Sequence, residues 1–255
     1  MKLHRLALAA LFAGASVCGH AACSRAKFNA LLALQYGKVV GYKAGLTNPA
    51  VQKRFNADQP VWGVLYDGMA LEDGAVVDAA FGARPLFEAD MLVRVKSADI
   101  NLAKTPMDVL AAIDQIIPFI ELPDLVVEKP AALTGNAISA INVGARLGVA
   151  GKPIPVPAFR GERFAMLDAL CDMTVVISDG AGEIARGKGS DILEHPLNAV
   201  VWLAEALNKQ GLAMEPGQWI SLGSFSPLTP PRPGQKVTVR YEGLPGATPV
   251  SVTFR

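Results

Sequence analysis

The clearest periodic pattern in the sequence is a strict two-residue alternation along residues 87–95. Successive residues of a β-strand point to opposite sides, so such alternation is typical of a strand. The fold class depends on whether helices or further strands precede and follow this strand in the sequence. One face of the alternating stretch carries Phe87, Ala89, Met91, Val93 and Val95, and the other, continued by one residue, carries Glu88, Asp90, Leu92, Arg94 and Lys96.

Short strand patterns outnumber helical patterns along the rest of the chain. Because strands follow one another directly instead of alternating with helices, we expect an α+β fold with a mixed or mostly antiparallel sheet. Helices are predicted at residues 27–34, 106–117 and 196–209. Further strands are predicted at residues 39–46, 61–66, 119–122, 173–178, 183–188, 219–222, 236–241 and 250–254.

Composition and charge exclude several classes of protein. The 255 residues are 51% hydrophobic and 18% charged, which is ample for a packed core and unlike a disordered chain. The length fits one large domain or two small ones. With 24 Lys and Arg against 23 Asp and Glu, the net charge is +1, so no long-range field attracts nucleic acid or an anionic membrane. Cys-x-x-Cys is absent from the sequence, which argues against zinc held by thiolates.

The N-terminus has the order of features found in secretory signal peptides. Residues 1–5 carry basic side chains, residues 6–17 are apolar, and small residues stand before a cleavage site after Ala21. The apolar run is too short to span a bilayer. We expect residues 1–21 to be removed and the mature protein to be periplasmic or secreted. An ordinary buried N-terminal helix is the alternative explanation.

A candidate metal site is suggested by three carboxylates. Glu88 and Asp90 lie two residues apart on the predicted strand, so their side chains leave the same face. Glu121 follows after the intervening helical pattern. Three carboxylates supply the oxygen ligands that a hard divalent cation such as magnesium requires. Arg94 and Lys96 lie on that same face, so a solvated strand edge with ion pairs is the alternative explanation.

Two further charged residues lie beside glycines. Lys43 lies between two glycines in the segment GYKAGLT, residues 41–47. Because the backbone can pack closely at glycines, this lysine could reach into a binding site. The alternative is an ordinary loop lysine that is exposed to solvent. Asp67 precedes a glycine and is most simply a turn residue. The sequence contains no Gly-x-Ser-x-Gly motif and no complete phosphate loop, which argues against a serine hydrolase and a nucleotide site.

Five stretches of the sequence resemble, in order, the motifs of one enzyme family. They are GYKAGLT at residues 41–47, DQPVWGVLYDGM at 58–69, EAD at 88–90, GKGSDILEHPLNAVVWLA at 187–204 and GSFS at 223–226. The fourth stretch is long and the most specific. From about residue 38 to residue 254, the chain resembles the 2-keto-4-pentenoate hydratase family within the fumarylacetoacetate hydrolase superfamily.

The resemblance implies an architecture and a set of ligands. The fold would be α+β, with a mixed β-sheet or β-roll core of the fumarylacetoacetate hydrolase C-terminal type and flanking helices. Residues 22–255 would form a single catalytic domain, on which a short N-terminal segment, residues 22–80, packs. The implied ligands are Mg²⁺ or Mn²⁺ and a small-molecule 2-oxo acid, and the implied assembly is a homo-oligomer. Nucleic acid and, after signal cleavage, a membrane are not expected partners.

The resemblance also implies roles for seven residues, five of which lie in these stretches. Asn136 lies in a further stretch, GNAIS at residues 135–139, which resembles the Asp-Asn-Ala-Ser segment of the family, and Glu121 lies between the matched stretches. The metal ligands would be Glu88, Asp90 and Glu121. The acid/base pair would be Lys43 and Asp67, and the substrate-binding residues would be Ser224 and Asn136. At Asp90 the sequence departs from the family, which has the longer Glu at this position.

The implied reaction is that of a lyase. Water would add to a 2-hydroxy-2,4-dienoate or 2-oxo-enoate through an enolate that the metal stabilises. A decarboxylase or a carbon–carbon hydrolase of a related 2-oxo acid, using the same metal site, is one alternative. A non-enzymatic exported relative is another, because the segment before Gly41 is shorter than the helical N-terminal region of the family.

Overall fold

The computed structural model describes residues 20–126 and 133–255, so residues 1–19 of the expected signal peptide lie outside the described residues. In the described residues, no helix combines the length and the apolar character of a membrane span. The helices are α1 (His20–Tyr36), α2 (Pro49–Arg54), α3 (Pro106–Ala112), α4 (Gly135–Ala140), α5 (Arg160–Asp172) and α6 (Asn198–Asn208).

The strands confirm the predicted α+β class and its mixed sheet. They are β1 (Val39–Gly45), β2 (Val61–Tyr66), β3 (Ala70–Glu72), β4 (Ala75–Val77), β5 (Glu88–Val95), β6 (Ile113–Leu122), β7 (Leu147–Ala150), β8 (Ile154–Pro155), β9 (Thr174–Asp179), β10 (Gly182–Lys188), β11 (Trp219–Ser221), β12 (Lys236–Glu242) and β13 (Val250–Phe254). The larger sheet has the order β2-β1-β11-β5-β6-β7-β3, with β8 paired to β6, and the smaller has the order β10-β9-β12-β13-β4. Parallel pairs, such as β1 with β11, occur beside antiparallel ones, such as β5 with β6.

The alternating stretch forms the central strand β5, but it is buried on both faces. It pairs with β11 on one side and with β6 on the other. Only Arg94 is partly exposed, and its guanidinium donates to the Asp114 carboxylate at 2.8 and 2.7 Å. The alternative of a solvated strand edge is therefore wrong, and the carboxylates at the start of β5 lie inside the protein.

The helix predicted at residues 106–117 ends earlier than its sequence pattern suggested. Thr105 and Asp108 cap the start of α3 reciprocally, and the helix stops at Ala112. From Ile113 the chain continues as β6, which includes the strand predicted at residues 119–122. A strand that is buried on both faces has no alternation of polar and apolar residues, so its pattern resembles that of a buried helix.

The larger sheet is rolled rather than flat. Val64 lies on β2, at one end of the sheet, and Asn142 lies in the 3₁₀ turn Asn142–Gly144 before β7, near the other end. The Asn142 side-chain amide donates to the carbonyl of Val64 at 2.9 Å and accepts from its N–H at 2.7 Å. This side chain therefore takes the place of a strand partner for β2 and holds the two ends of the roll together.

Candidate active site

One pocket of the described structure gathers four of the seven residues predicted from the sequence. It is a cavity of about 100 Å³ whose lining includes Lys43, Glu88, Glu121 and Ser224. Arg54, an exposed residue, also belongs to the lining. Most of the wall is apolar, and it includes Leu46, Val51, Phe55, Pro123, Leu125, Ile138, Val143, Pro227 and Leu228.

Lys43 is a buried cation in this pocket, with 2% of its surface exposed. Its ammonium forms an ion pair with the Glu121 carboxylate and donates to the carbonyl of Val143 at 3.2 Å. A Cβ atom at Gly45 would lie 2.4 Å from Val143 Cγ1, so this glycine of the sequence motif lets β1 pack against the turn. The lysine is therefore held from two sides, which fixes the position of its charge.

Glu88 and Glu121 are direct neighbours across β5 and β6. Both are buried, and the Oε2 atom of Glu121 has no hydrogen-bond partner among the described residues. Burial first, and then the nearby carboxylate of Glu121, raise the pKa of Glu88 well above its usual range. Burying two adjacent carboxylates, one of them with an oxygen that lacks a hydrogen-bond partner, lowers the stability of the protein unless a cation binds between them.

Asp90 lies behind these two carboxylates and is completely buried. Its Oδ2 accepts from the Ser221 hydroxyl at 2.5 Å, and its Oδ1 accepts from the backbone N–H of Gly223 at 3.0 Å. Burial and, next, the charge of Glu121 raise the pKa of Asp90 to about 8. The three carboxylates thus crowd together with Lys43 as the partly compensating cation.

The three predicted metal ligands are not all presented to the cavity. Within residues 20–126 and 133–255, no three His, Cys, Asp or Glu side chains are arranged so that they could hold a metal ion. Asp90 is one methylene shorter than Glu, its oxygens are occupied by Ser221 and Gly223, and it does not line the pocket. Glu88 and Glu121 are the carboxylates that face the cavity.

The donor set nevertheless fits a divalent cation. When ionised, Glu88, Asp90 and Glu121 carry three negative charges, and Lys43 returns one positive charge. The remaining excess of two negative charges equals the charge of Mg²⁺ or Mn²⁺. Carboxylate oxygens are the ligands these hard cations prefer, and the orphaned Oε2 of Glu121 is a ready acceptor.

Asp67 is not brought to the pocket, so the structure does not pair it with Lys43. It is exposed, and its Oδ1 accepts from the backbone N–H groups of Lys38 at 3.1 Å and Gly68 at 3.0 Å. Lys38 precedes β1, and five residues of extended strand, about 16 Å, separate it from Lys43. Asp67 therefore stabilises a turn, which was the simpler reading of its sequence context.

Asn136, the other predicted substrate-binding residue, does not line the carboxylate pocket. It is exposed on α4 and lines a different cavity, of about 740 Å³, together with Arg25 and Trp62. Ser224 does line the carboxylate pocket, but its hydroxyl already donates to the carbonyl of Ser226 at 2.6 Å and accepts from that residue's N–H at 3.1 Å.

Sequence reasoning missed two residues that support the site. The Tyr241 hydroxyl donates to the carbonyl of Asp90 and accepts from the N–H of Phe119 at 3.0 Å, so it connects β12 to both β5 and β6. Ser221 holds the Asp90 carboxylate. Neither residue belongs to a recognisable motif. A serine in an otherwise apolar predicted strand was the one signal available for Ser221.

Comparisons with known proteins identify relatives of this chain. No protein-family model matches the chain. A 4-oxalocrotonate decarboxylase of Pseudomonas putida is 32% identical over 209 residues, which are 81% of this chain and 75% of that protein. The 2-keto-4-pentenoate hydratase 2 of Dechloromonas aromatica (strain RCB) is 30% identical over 208 residues, covering 81% and 76%. The solved 4-oxalocrotonate decarboxylase from Pseudomonas putida G7, complexed with magnesium and adipate, aligns with a TM-score of 0.77 and 27% identity, covering 91% of this chain and 83% of that one.

Proposed function

This chain belongs to the 2-keto-4-pentenoate hydratase family of the fumarylacetoacetate hydrolase superfamily, and from that premise we propose that it is a metal-dependent hydratase. The reaction would add water to a 2-hydroxy-2,4-dienoate or the corresponding 2-oxo-enoate. The observation that carries the proposal is the pocket in which buried Lys43 meets the carboxylates of Glu88 and Glu121. A proton carrier and a place for a cation are the two parts this chemistry requires.

The cation would be Mg²⁺ or Mn²⁺. Glu88 and Glu121 offer their oxygens toward the cavity, and Asp90 contributes a third negative charge from behind them. The solved 4-oxalocrotonate decarboxylase is complexed with magnesium, and this supports the proposal that the present chain binds a divalent ion. When bound, the cation would polarise the 2-oxo group of the substrate and stabilise the negative charge that develops on its oxygen.

Lys43 is the residue to which we assign proton transfer. Hydration requires a proton to reach the far carbon of the dienol, a task the carboxylates that hold the cation do not perform. Of the two cations in the described pocket lining, Lys43 is buried beside Glu121 and Arg54 is exposed, so Lys43 is the one placed next to the bound substrate. We assign no step to Asp67, because its carboxylate lies at the other end of β1. Ser224, beside Glu88 and Glu121, would turn its hydroxyl from the carbonyl of Ser226 to donate to the substrate carboxylate.

Turnover of a panel of 2-oxo acids tests the proposal. Purified protein should consume 2-hydroxypenta-2,4-dienoate or a homologue with added Mg²⁺, and should stop when EDTA removes the ion. Glu121→Gln should be inactive under both conditions. Release of CO₂ without hydration would favour the second candidate, a decarboxylase, which the Pseudomonas putida relative suggests. Activity on no 2-oxo acid at any metal concentration would instead leave a non-enzymatic relative.

Export and assembly are also proposals. The order of features in residues 1–21 supports removal of a signal peptide, and N-terminal sequencing of the periplasmic fraction should then find Ala22 first. An intact Met1 start in the cytosol would contradict export. The family resemblance supports a homo-oligomer, which light scattering of the purified protein tests directly.

A further inference from the structure

The longest of the matched stretches supplies no residue to the proposed reaction. It runs from residue 187 to residue 204, and none of the described residues that line the carboxylate pocket belongs to it. It does, however, bond to the pocket wall. The N–H of Leu193 donates to the carbonyl of Thr47 at 3.1 Å, and the side-chain amide of Asn48 donates to the carbonyl of Asp191 at 3.2 Å. Because Thr47 and Asn48 line the pocket, this stretch supports the wall without lining the pocket itself.

Thr47 and Asn48 determine where one wall of the pocket lies. Asn48 caps α2 by accepting from the N–H of Ala50 at 2.8 Å. This helix and the residue after it contribute Val51, Arg54 and Phe55 to the lining. Thr47 is buried, and a Cβ atom at Gly223 would lie 2.1 Å from its Oγ1, so it packs against the backbone of another pocket-lining segment. A displacement of Thr47 would therefore move α2 relative to Gly223.

The turn that holds Thr47 has an unfavourable backbone conformation. Leu193 and Glu194 follow one another with φ angles of 47° and 68°, in the left-handed region that residues other than glycine rarely adopt. Such residues keep this conformation only where the surrounding structure imposes it. The Asn198 side-chain amide supplies one contact that does so, since it donates to the carbonyl of Leu193 at 2.8 Å.

The half-buried ring of His195 supplies two more contacts, directly after this turn. Its Nε2 donates to the carbonyl of Leu167 on α5 at 3.2 Å, and its Nδ1 accepts from the N–H of Leu197 at 3.1 Å. One partner is an acceptor and the other a donor, so together they select the neutral ring with its proton on Nε2. Burial lowers the pKa of His195, which favours the same neutral form. The ring thus ties the end of the turn to α5 and to the start of α6.

We propose that His195 is a positioning residue for substrate binding: by fixing the left-handed turn, it holds Thr47, and with it α2, in place. The inference rests on the proposed function, because it concerns the pocket to which that function assigns the substrate. Lys43 and the carboxylates are held by contacts of their own. Loss of the ring should therefore weaken substrate binding and spare the chemical step, which raises KM and leaves kcat nearly unchanged.

The test compares three variants with the wild type. His195→Ala removes both contacts of the ring, whereas His195→Asn keeps a side-chain oxygen that can accept from the N–H of Leu197. Asn101→Ala is the matched control. Asn101 also joins distant segments, since its side chain donates to the carbonyl of Met214 at 2.8 Å and accepts from its N–H at 2.8 Å, and it does not line the pocket.

Two measurements are made on each variant. Hydrogen exchange followed by mass spectrometry reports the opening of residues 47–55, and steady-state kinetics with 2-hydroxypenta-2,4-dienoate in Mg²⁺ buffer report KM and kcat. In His195→Ala, the amides of residues 47–55 should exchange about tenfold faster and KM should rise about tenfold, as expected for the loss of a hydrogen bond. His195→Asn should show a smaller rise in both, and it carries the test should His195→Ala fail to fold.

The control separates positioning from general destabilisation. Asn101→Ala should lower the melting temperature but change neither the exchange of residues 47–55 nor KM. Wild-type exchange and KM in both His195 variants, or the same changes in Asn101→Ala, would overturn the inference and leave the hydratase proposal standing. The exchange rates need no turnover, so they decide the role of His195 even in a protein that consumes no 2-oxo acid, a result that would overturn the hydratase proposal alone.

Discussion

Lys43 and Glu121 form a buried ion pair although 78 residues separate them in the sequence. They lie on β1 and β6, with β11 and β5 between these strands in the sheet order. In a flat sheet three strand spacings would place their backbones about 14 Å apart. The roll brings the side chains together, so the lysine holds a carboxylate that a metal ion also requires.

Replacing Lys43 by methionine should separate proton transfer from metal binding. Lys43→Met keeps most of the stem and removes the ammonium, so turnover should fall by about 10²–10⁴-fold. Mg²⁺ affinity should not fall, because Glu121 loses the cation that competes with the metal. Steady-state kinetics beside a calorimetric Mg²⁺ titration measure both effects, with exposed Lys38→Met as the control. Unchanged turnover would remove Lys43 from the mechanism.

Asp90→Asn tests whether the carboxylate behind the pocket serves the metal or the fold. The amide has nearly the same size, so packing is preserved and only the charge is lost. Mg²⁺ affinity should fall by about 10–100-fold, the usual cost of removing a group that supports a metal site. Above pH 8 the melting temperature of the metal-free protein should not fall, because Asp90 is ionised there and the substitution removes a buried charge. Loss of stability without loss of Mg²⁺ affinity would identify Asp90 as a structural residue.

The raised pKa of Asp90 predicts how stability depends on pH. Its pKa is about 8 in the folded protein and near 3.9 in an unfolded chain, so the folded state binds more protons between these values. Its contribution to the stability of the metal-free protein is fully present below about pH 4 and is lost as the pH rises through 8. Thermal unfolding of the wild type in EDTA, measured from pH 5 to pH 8.5, should show this decline.

Two further measurements identify the cause of the fall in stability with rising pH. Asp90→Asn should decline less steeply over the same pH range. Added Mg²⁺ should flatten the wild-type profile, since a bound cation favours the ionised carboxylates. A wild-type profile that rises toward pH 8.5 in EDTA would contradict the assignment of a raised pKa to the buried carboxylates.

Asp67→Asn should leave kcat within about twofold of the wild type. Asp67 holds the backbone of Lys38 and Gly68, far from the pocket, and the side-chain oxygen of asparagine can still accept these hydrogen bonds. The family resemblance alone predicts a large loss of activity for the same change. The kcat of this variant therefore decides between the structural role that the geometry gives Asp67 and the acid/base role that the family resemblance implies. A loss of kcat above 100-fold would show that Asp67 takes part in the reaction.

Local patterns predicted the elements of this fold better than they predicted its site. The alternation before Lys96 identified β5, and residues 250–254 form a strand with the expected bounds. The helix α5 was not predicted, and its half-exposed face shows why: only Met166 and Leu170 are buried, too few for a clear helical stripe.

The position of the site residues depends on contacts between distant segments. Motif matching placed Lys43, Glu88 and Glu121 in one site, and the structure brings these three together. It also placed Asp67 there, because a sequence match carries no information about which end of a strand a residue occupies. That information comes from the pairing register and from the closure of the roll.

Asn142 joins one end of the roll to the other, and Asn142→Ala tests how far the closure depends on it. The change removes both hydrogen bonds to Val64, and it leaves a buried N–H and a buried carbonyl without partners. Asn142 also adopts a left-handed backbone, with φ of 55°, which asparagine tolerates better than alanine. The free energy of unfolding should fall by roughly 2–5 kcal/mol, which urea denaturation measures.

The same substitution should affect catalysis through Lys43. The turn that Asn142 anchors presents the carbonyl of Val143 to the lysine ammonium, so a loosened turn releases one of its two contacts. Under conditions where Asn142→Ala is folded, kcat should fall while the affinity for Mg²⁺ stays near the wild-type value. Asn142→Gly is the matched control: it also loses both hydrogen bonds to Val64 but adopts the left-handed backbone without strain, so its stability should lie between those of Asn142→Ala and the wild type. If Asn142→Ala unfolds like the wild type and keeps full kcat, the roll is held closed by its packed side chains and Asn142 does not position the lysine.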